Sequence, residues 1–165
     1  ERVRDLFVVG CTTGMRFGNY SRISKNDIQD DFIRVTDLKS KSKKLAIPLN
    51  SISKEILEKY DYDLPKITNQ KMNKYIKEVF QLLEFDDEIK KTMKYGDELI
   101  ENSTEFWKRI SSHTARRSFI TIMKNKRVPD KVIMSYTGHT SLEVFNAYYR
   151  PSEEDKVNYM NEVFK

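Results

Sequence analysis

The sequence is poor in residues that stabilise proteins through disulfides or metal ions. Its 165 residues include one cysteine, Cys11, and only two histidines. A single cysteine excludes an internal disulfide, and so few soft ligands exclude a multi-cysteine zinc cluster. We therefore expect a protein of a reducing, cytoplasmic environment.

Long apolar runs and flexible linkers are also missing. No stretch approaches the roughly 20 apolar residues that a membrane-spanning helix needs, and no signal-peptide pattern opens the chain. We therefore expect no membrane association. The sequence has no Gly/Ser-rich linker and no internal repeat, so its length predicts one domain over residues 1–165. Because it begins without methionine, inside a predicted helix, we expect a fragment of a longer protein.

The charge balance is modestly basic. There are 30 basic and 25 acidic residues, which give a formal net charge of +5. Such an excess is compatible with a nucleic-acid partner, because basic surfaces attract phosphates, but many proteins without such a partner are equally basic. The positions of the charged residues must therefore decide the question.

Apolar periodicity predicts an α+β fold that is mainly α-helical, with one small antiparallel β-hairpin. Period-two spacing predicts two strands around residues 30–38 and 43–49, joined by the basic tip KSKSK. Residues 86–110 have little periodicity and are predicted to form a loop with at most short strand pieces. Helices are predicted at residues 3–13, 51–61, 69–83, 112–126 (with Ser112 as N-cap), 129–137, 141–150 and 152–164.

The stretch SSHTARRSF concentrates cationic and hydrogen-bonding groups at a predicted helix start. His113 and Arg116 are three residues apart and share a helix face, whereas Arg117 points about a quarter-turn away. A helix N-terminus favours an anion, and a guanidinium with an imidazole adds donors suited to a phosphate diester. Alternatively, this is a solvated arginine pair beside an incidental histidine.

Four further features are weak individually. His139 follows the glycine that ends a predicted helix, and Tyr148 comes nine residues later. Arg16 follows a glycine turn in CTTGMRFGN. The hairpin tip carries several lysines, which are Lys39, Lys41, Lys43 and Lys44.

Together and in this order, these motifs resemble those of the tyrosine recombinase (phage integrase) family over essentially the whole chain. The match consists of T-G-x-R ending at Arg16, a hairpin lysine before an IPL strand, H-x-x-R at His113–Arg116, Gly138-His139, and Tyr148. SSHTARRSF and GHTS look especially like integrases of bacterial conjugative or mobile elements.

The sequence departs from the family pattern at two places. Three residues after the first arginine the family often has a carboxylate, where this chain has Asn19. The hairpin tip is one residue longer than expected before Pro48. Lys39 is the first candidate for the catalytic lysine because Ser40 follows it, which resembles the family's Lys-Thr, and Lys41 is the alternative.

The resemblance implies a metal-free and ATP-independent strand transfer. Arg16 and Arg116 would grip the non-bridging phosphate oxygens, and His113 and His139 would add hydrogen bonds, with His113 also able to help deprotonate the tyrosine. Tyr148 would attack and form a 3′-phosphotyrosine. Lys39 would protonate the leaving 5′ oxygen. Further contacts with the DNA backbone would come from Lys41, Lys43 and Arg117.

The two adjacent tyrosines can also be separated by helix geometry. If residues 141–149 are helical, Leu142, Phe145 and Tyr149 lie on one apolar stripe, and Tyr148 lies at its edge. Tyr149 therefore fits a core tyrosine, and Tyr148 fits the nucleophile.

The resemblance further implies a site-specific recombinase that integrates or excises a mobile element in the bacterial cytoplasm, at the nucleoid. Its partner would be double-stranded DNA, on which it would form a homo-tetramer, whereas the catalytic domain alone would be a monomer. The N-terminal core-binding domain would be absent from this chain. The last helix, with its spaced apolar residues, would dock on a neighbouring protomer. The alternatives are a type IB topoisomerase-like enzyme and a catalytically silent DNA-binding module.

Overall fold

Helices predominate in the computed structural model, which describes residues 1–40, 42–149 and 151–164. The helices are α1 (Arg2–Thr13), α2 (Phe17–Tyr20), α3 (Ser51–Lys59), α4 (Asn69–Leu82), α5 (Phe106–Arg109), α6 (Ser112–Asn125), α7 (Asp130–Thr137), α8 (Leu142–Asn146) and α9 (Glu153–Val163). The strands are β1 (Ile28–Gln29), β2 (Phe32–Thr36), β3 (Lys44–Pro48), β4 (Glu88–Tyr95) and β5 (Glu98–Glu105). The predicted fold class, mainly α with small antiparallel β-structure, is confirmed.

Helix α1 lies at the centre of the fold and packs against α3, α4 and α6. It crosses α6 closely because both helices have small residues there: a Cβ on Gly10 would lie 2.9 Å from the Cβ of Ala115. The helix ends at Gly14, whose φ of 67° belongs to the left-handed region that favours glycine. This crossing brings the end of α1 next to the first turns of α6.

The strands β1, β2 and β3 form an antiparallel sheet in that order. Ile33 of β2 pairs with Ile47 of β3, and both are buried, with Leu45 on the same inner face. This alternation of buried and exposed residues is the period-two pattern that predicted the hairpin. The β2–β3 turn therefore projects from a sheet that is anchored in the core.

Residues 86–110 are not the predicted loop. They contain the hairpin β4–β5, whose eight-residue strands are joined by Gly96 and Asp97, with Tyr95 opposite Glu98. Its described side chains are largely exposed, so neither face has the apolar alternation that reveals a half-buried strand. The two-residue Gly-Asp connection was the available signal.

Two local predictions around the later helices are also wrong. The N-cap of α6 is Ser111, whose backbone N–H donates to Thr114 Oγ1 at 3.0 Å. Ser112 is buried and donates its backbone N–H to Asn73 Oδ1 at 2.7 Å. Helix α8 ends at Asn146, and Leu142 is exposed rather than part of a buried stripe.

Candidate active site

Arg16 lies at the start of α2 and is fixed by an ion pair with the β2–β3 turn. Its Nη1 donates to Asp37 Oδ2 at 2.9 Å. Burial opposes ionisation of Asp37, but the hydrogen bond from Asn19 and the charge of Arg16 outweigh it, so the pKa of Asp37 lies below its ordinary value. Arg16 is therefore oriented by a carboxylate that is ionised at neutral pH.

Arg116 is almost completely buried, with 1% of its surface exposed. Its Nη1 donates to the backbone oxygen of Gly14 at 3.0 Å, which links α6 to the end of α1. Its Nε has no hydrogen-bond partner among the residues that the structure describes. Burial and the charge of Arg16 lower the pKa of Arg116 to about 10, so the guanidinium stays charged at neutral pH.

The hydrogen bonds around His139 define its tautomer. Thr137 Oγ1 lies 2.8 Å from His139 Nδ1 and also donates to the backbone oxygen of Ile133 at 2.8 Å. The hydroxyl has only one proton, so toward His139 it must accept, and Nδ1 carries the ring proton. Nε2 is then the ring nitrogen without a proton, and Arg116 Nη2 lies close to both ring nitrogens, 3.1 Å from Nε2 and 3.3 Å from Nδ1.

Burial and nearby positive charge, above all that of Arg116, lower the pKa of His139 to about 4. An unperturbed histidine titrates near about 6.5. His139 is therefore neutral at pH 7. Because its pKa is depressed in the folded state, this group stabilises the fold above about pH 6.5, and the contribution is lost as the pH falls towards 4.

We expect the His139 ring to remain neutral between pH 7 and pH 5, with its proton on Nδ1. Nitrogen-15 NMR of the imidazole rings, titrated over this range, measures both properties. In Thr137→Val the acceptor hydroxyl is gone while the side-chain shape is kept, so the Nδ1–H tautomer should lose population. A His139 ring that titrates near pH 6.5 in the unmodified protein would contradict the assignment.

His113 and Tyr148 lie beside this pair. The Tyr148 ring centroid is 5.4 Å from that of His113 and 4.9 Å from that of His139. The guanidinium carbons of Arg116 and Arg117 lie 6.0 and 5.8 Å from the same ring centroid. Partial burial and the charges of Arg116 and Arg117 lower the pKa of His113, which favours the neutral ring as a proton acceptor.

Tyr148 and Tyr149 both pack against the cluster formed by α6, α7 and α8, but of the two only Tyr148 has its ring next to those of the two histidines. The half-buried side chain of Tyr149 packs against core residues that include Phe119 and Phe145, and its hydroxyl is enclosed. Burial, with a contribution from Tyr159, raises the pKa of Tyr149 to about 12. A phenolate is therefore disfavoured at this position.

The β2–β3 turn contributes lysines to a cleft beside Arg16. Lys39 and Lys43 line it together with Arg16, Asp37 and His139. Lys43 Nζ donates to the backbone oxygen of His139 at 3.3 Å. Lys41, the alternative catalytic lysine and a predicted DNA contact, lies outside the described residues.

Two clefts share Arg16: His113 and Arg116 line one, and Lys39, Lys43 and His139 line the other. Tyr148 lies beside His113 and His139, with the exposed Arg117 near its ring. Sequence reasoning missed Asp37 and Thr137, which hold Arg16 and His139. Asp37 stands two residues before Lys39, and Thr137 two before His139; nothing local distinguishes them from ordinary turn and helix residues.

Two structural absences concern the described part of the chain. Within residues 1–40, 42–149 and 151–164, no group of three or more histidine, cysteine or acidic side chains could hold a metal ion. Over the same residues, no helix is long and apolar enough to cross a bilayer.

The fold is similar to those of solved recombinase structures. The XerH site-specific recombinase bound to difH substrate, in a pre-cleavage complex, matches with a TM-score of 0.64 at 15% identity, over 99% of this chain and 47% of that chain. The Tn1549 transposon integrase in complex with a circular intermediate DNA gives 0.67 at 14%, over 96% and 58%. A lambda integrase dimer bound to a COC′ core site gives 0.66 at 17%, over 92% and 56%.

At these identities the likeness shows a shared fold, and this chain spans only about half of each matched protein. No curated protein sequence matches it significantly. Residues 2–155, however, match the sequence profile of the Phage integrase family. The resemblance predicted from the motifs is therefore confirmed: the chain belongs to the phage integrase family and has the fold of a tyrosine recombinase catalytic domain.

Proposed function

We propose that this chain is the catalytic domain of a site-specific DNA recombinase that cleaves and rejoins DNA through a covalent 3′-phosphotyrosine, without metal or ATP. The observation that carries the proposal is the buried Arg116, a charged guanidinium that lies against His139 and near the Tyr148 ring and has no carboxylate partner among the residues that the structure describes. A buried cation needs compensation, and a phosphate diester in the cleft would provide it.

Phosphoryl transfer depends mainly on positioning and on electrostatic stabilisation of the anionic transition state. Arg16 and Arg116 would bind the non-bridging oxygens, and Nε of Arg116 is free to donate to one of them. His139 supports this arrangement because its neutral ring lies against the Arg116 guanidinium, with Nε2 3.1 Å from Nη2.

Tyr148 would be the nucleophile and His113 the group that accepts its proton. The rings of these two residues are neighbours, and the lowered pKa of His113 keeps its imidazole neutral before the reaction. Attack by the Tyr148 oxygen breaks the bond to the 5′ oxygen and leaves the phosphate on the tyrosine. Because that ester conserves the bond, a second 5′-hydroxyl can reverse the step without external energy.

Lys39 would act as the general acid that protonates the leaving 5′ oxygen. Removing a general acid costs about 10²-fold or more in rate, so Lys39→Ala should slow cleavage of ordinary DNA by at least this factor. A substrate with sulfur in place of the bridging 5′ oxygen has a leaving group that needs no proton, and should restore the rate of Lys39→Ala.

Single-turnover cleavage rates on the two substrates measure this rescue. Lys43→Ala serves as the matched control, since its ammonium group donates to the His139 backbone, and sulfur should not rescue it. If sulfur rescues Lys41→Ala instead, the general acid is Lys41.

The proposed partner is double-stranded DNA, with Lys41, Lys43 and Arg117 contacting its backbone near the cleaved phosphate. The matched structures of XerH, Tn1549 integrase and lambda integrase contain DNA, which supports this partner.

We propose a homo-tetramer on paired sites, with the domain alone a weakly binding monomer, in the bacterial cytoplasm at the nucleoid. Helix α9 leaves Val157, Met160 and Val163 exposed, which suits docking on a neighbouring protomer.

The test is a nicked suicide DNA substrate that carries the ends of the mobile element, incubated with the full-length protein in EDTA. A covalent adduct on a denaturing gel is the expected result. A protein that binds this DNA and yields no adduct would be a silent DNA-binding module. Adducts at unrelated sequences, together with relaxation of supercoiled plasmid, would indicate a topoisomerase.

A further inference from the structure

We propose that Asp37 is a positioning residue that, together with Asn19, holds Arg16 and the Lys39 turn in one geometry. The inference rests on the proposed function, because its consequence is a rate of DNA cleavage. It assigns a role to Asp37, which lies outside the motifs that identify the family.

The two oxygens of Asp37 bind different elements. Oδ2 accepts from Arg16 Nη1 at 2.9 Å, and Oδ1 accepts from Asn19 Nδ2 at 2.9 Å. Oδ1 also lies 3.4 Å from the backbone N–H of Lys39. The side chain is 2% exposed, so these contacts are held away from water. One carboxylate therefore connects α2, the turn after β2 and the guanidinium proposed to bind phosphate.

Asn19 is the complementary half of this arrangement. Its Nδ2 donates to Asp37, while its Oδ1 accepts from the backbone N–H of Leu38 at 3.1 Å. An aspartate at position 19 could make the second contact but not the first, because an ionised carboxylate only accepts hydrogen bonds. Two buried carboxylates whose side chains meet at 2.9 Å, as Asn19 and Asp37 do, would also repel each other. The amide at position 19 thus fits a site whose negative charge comes from position 37.

The charge of Asp37 opposes DNA binding rather than assisting it. Among the described residues that line the two clefts around Arg16, it is the only acidic one. A role in attracting DNA is therefore excluded by its sign. What Asp37 offers is orientation: it occupies one amino group of Arg16 and leaves Nη2 and Nε available for phosphate oxygens.

The experiment compares four full-length proteins: the unmodified chain, Asp37→Asn, the double variant Asn19→Asp/Asp37→Asn, and the control Asp31→Asn. Asp31 is exposed in the β1–β2 turn at a φ of 60°, where asparagine is tolerated, so the control removes the same charge elsewhere on the sheet. The readouts are the single-turnover rate of adduct formation on the suicide substrate at saturating protein, DNA affinity at fixed salt, and the thermal midpoint.

We expect Asp37→Asn to form the adduct about 100-fold more slowly, the order of loss caused by misplacing a catalytic group by about 1 Å. Its DNA affinity should be unchanged or higher, because a negative charge has left the site. The double variant returns a carboxylate to the neighbourhood of Arg16 and should recover a substantial part of the rate. Asp31→Asn should behave as the unmodified protein in the adduct assay.

Wild-type rates in Asp37→Asn would overturn the inference, as would a double variant as slow as the single one, because Asp37 would then serve only the fold of the turn. An unmodified protein that forms no adduct contradicts the proposed function instead. In that case the positioning of Arg16 is measured without DNA, as the nitrogen-15 NMR order parameter of its Nε–H bond. This order parameter should fall in Asp37→Asn and not in Asp31→Asn. An unchanged order parameter in Asp37→Asn overturns the inference.

Discussion

Replacing Tyr148 by phenylalanine is expected to abolish the covalent protein–DNA adduct while leaving DNA binding intact. The phenylalanine ring keeps the packing of Tyr148 against His113 and His139 but lacks the oxygen that would attack phosphorus. No other hydroxyl is expected to substitute, since attack requires an oxygen held about 3–3.5 Å from the reacting atom in line with the leaving group. The nicked suicide substrate in EDTA measures the adduct directly.

Tyr149→Phe is the matched control, one residue further along the chain. The Tyr149 hydroxyl is enclosed beside the second core cluster, and its pKa of about 12 disfavours the phenolate. This variant should therefore form the adduct. The reverse pattern, with an adduct in Tyr148→Phe and none in Tyr149→Phe, would assign the nucleophile to Tyr149 and contradict the proposed site.

Arg116→Lys should lower the single-turnover rate of adduct formation by about 10³-fold, even though the charge is kept. A guanidinium presents several donors in a fixed plane, whereas an ammonium is a point charge on a flexible stem. Arg116 uses Nη1 for Gly14 and Nη2 for His139 while Nε remains free for the phosphate, and a lysine cannot occupy these three positions. Loss of one such transition-state donor typically costs about 10²–10³-fold.

The control for this variant is Arg109→Lys, in which an exposed arginine on α5 undergoes the same replacement. Its adduct rate should match that of the unmodified protein. Binding is measured separately for both variants, because a loss of affinity equal to the loss of rate would mean that Arg116 contributes to ground-state binding only. An Arg116→Lys protein with normal rates would contradict the role proposed for the buried guanidinium.

Local spacing explains which parts of the site could be predicted from sequence. His113 and Arg116 share a helix face because they are three residues apart, and Gly138 ends α7 because its φ of 73° suits glycine. Seven of the helices and the β2–β3 hairpin were predicted for the same reason: their apolar residues recur at the period of the element they form. The four-residue helices α2 and α5 are too short to show such a period and were not predicted. Sites built within one turn or one helix are readable in this way.

Contacts that join distant segments were not predictable. Arg16 and Asp37 are 21 residues apart, and their ion pair exists only because the β2–β3 turn folds back over α2. The tautomer of His139 depends on a hydroxyl whose proton is already donated to a helix carbonyl. Hairpin β4–β5 was missed because its stability comes from backbone pairing rather than from a buried apolar face.

The close crossing of α1 and α6 has a consequence for which substitutions the protein can tolerate. Gly10 and Ala115 fix the distance between the two helices. Arg116, the residue after Ala115, donates across the same gap to the carbonyl of Gly14, one turn after Gly10. A larger side chain at either position would separate the helices and withdraw the guanidinium from its place. Mutational tolerance in this domain is therefore restricted at two small, buried residues that touch no ligand, and a map of sensitive positions would extend beyond the catalytic groups into the core.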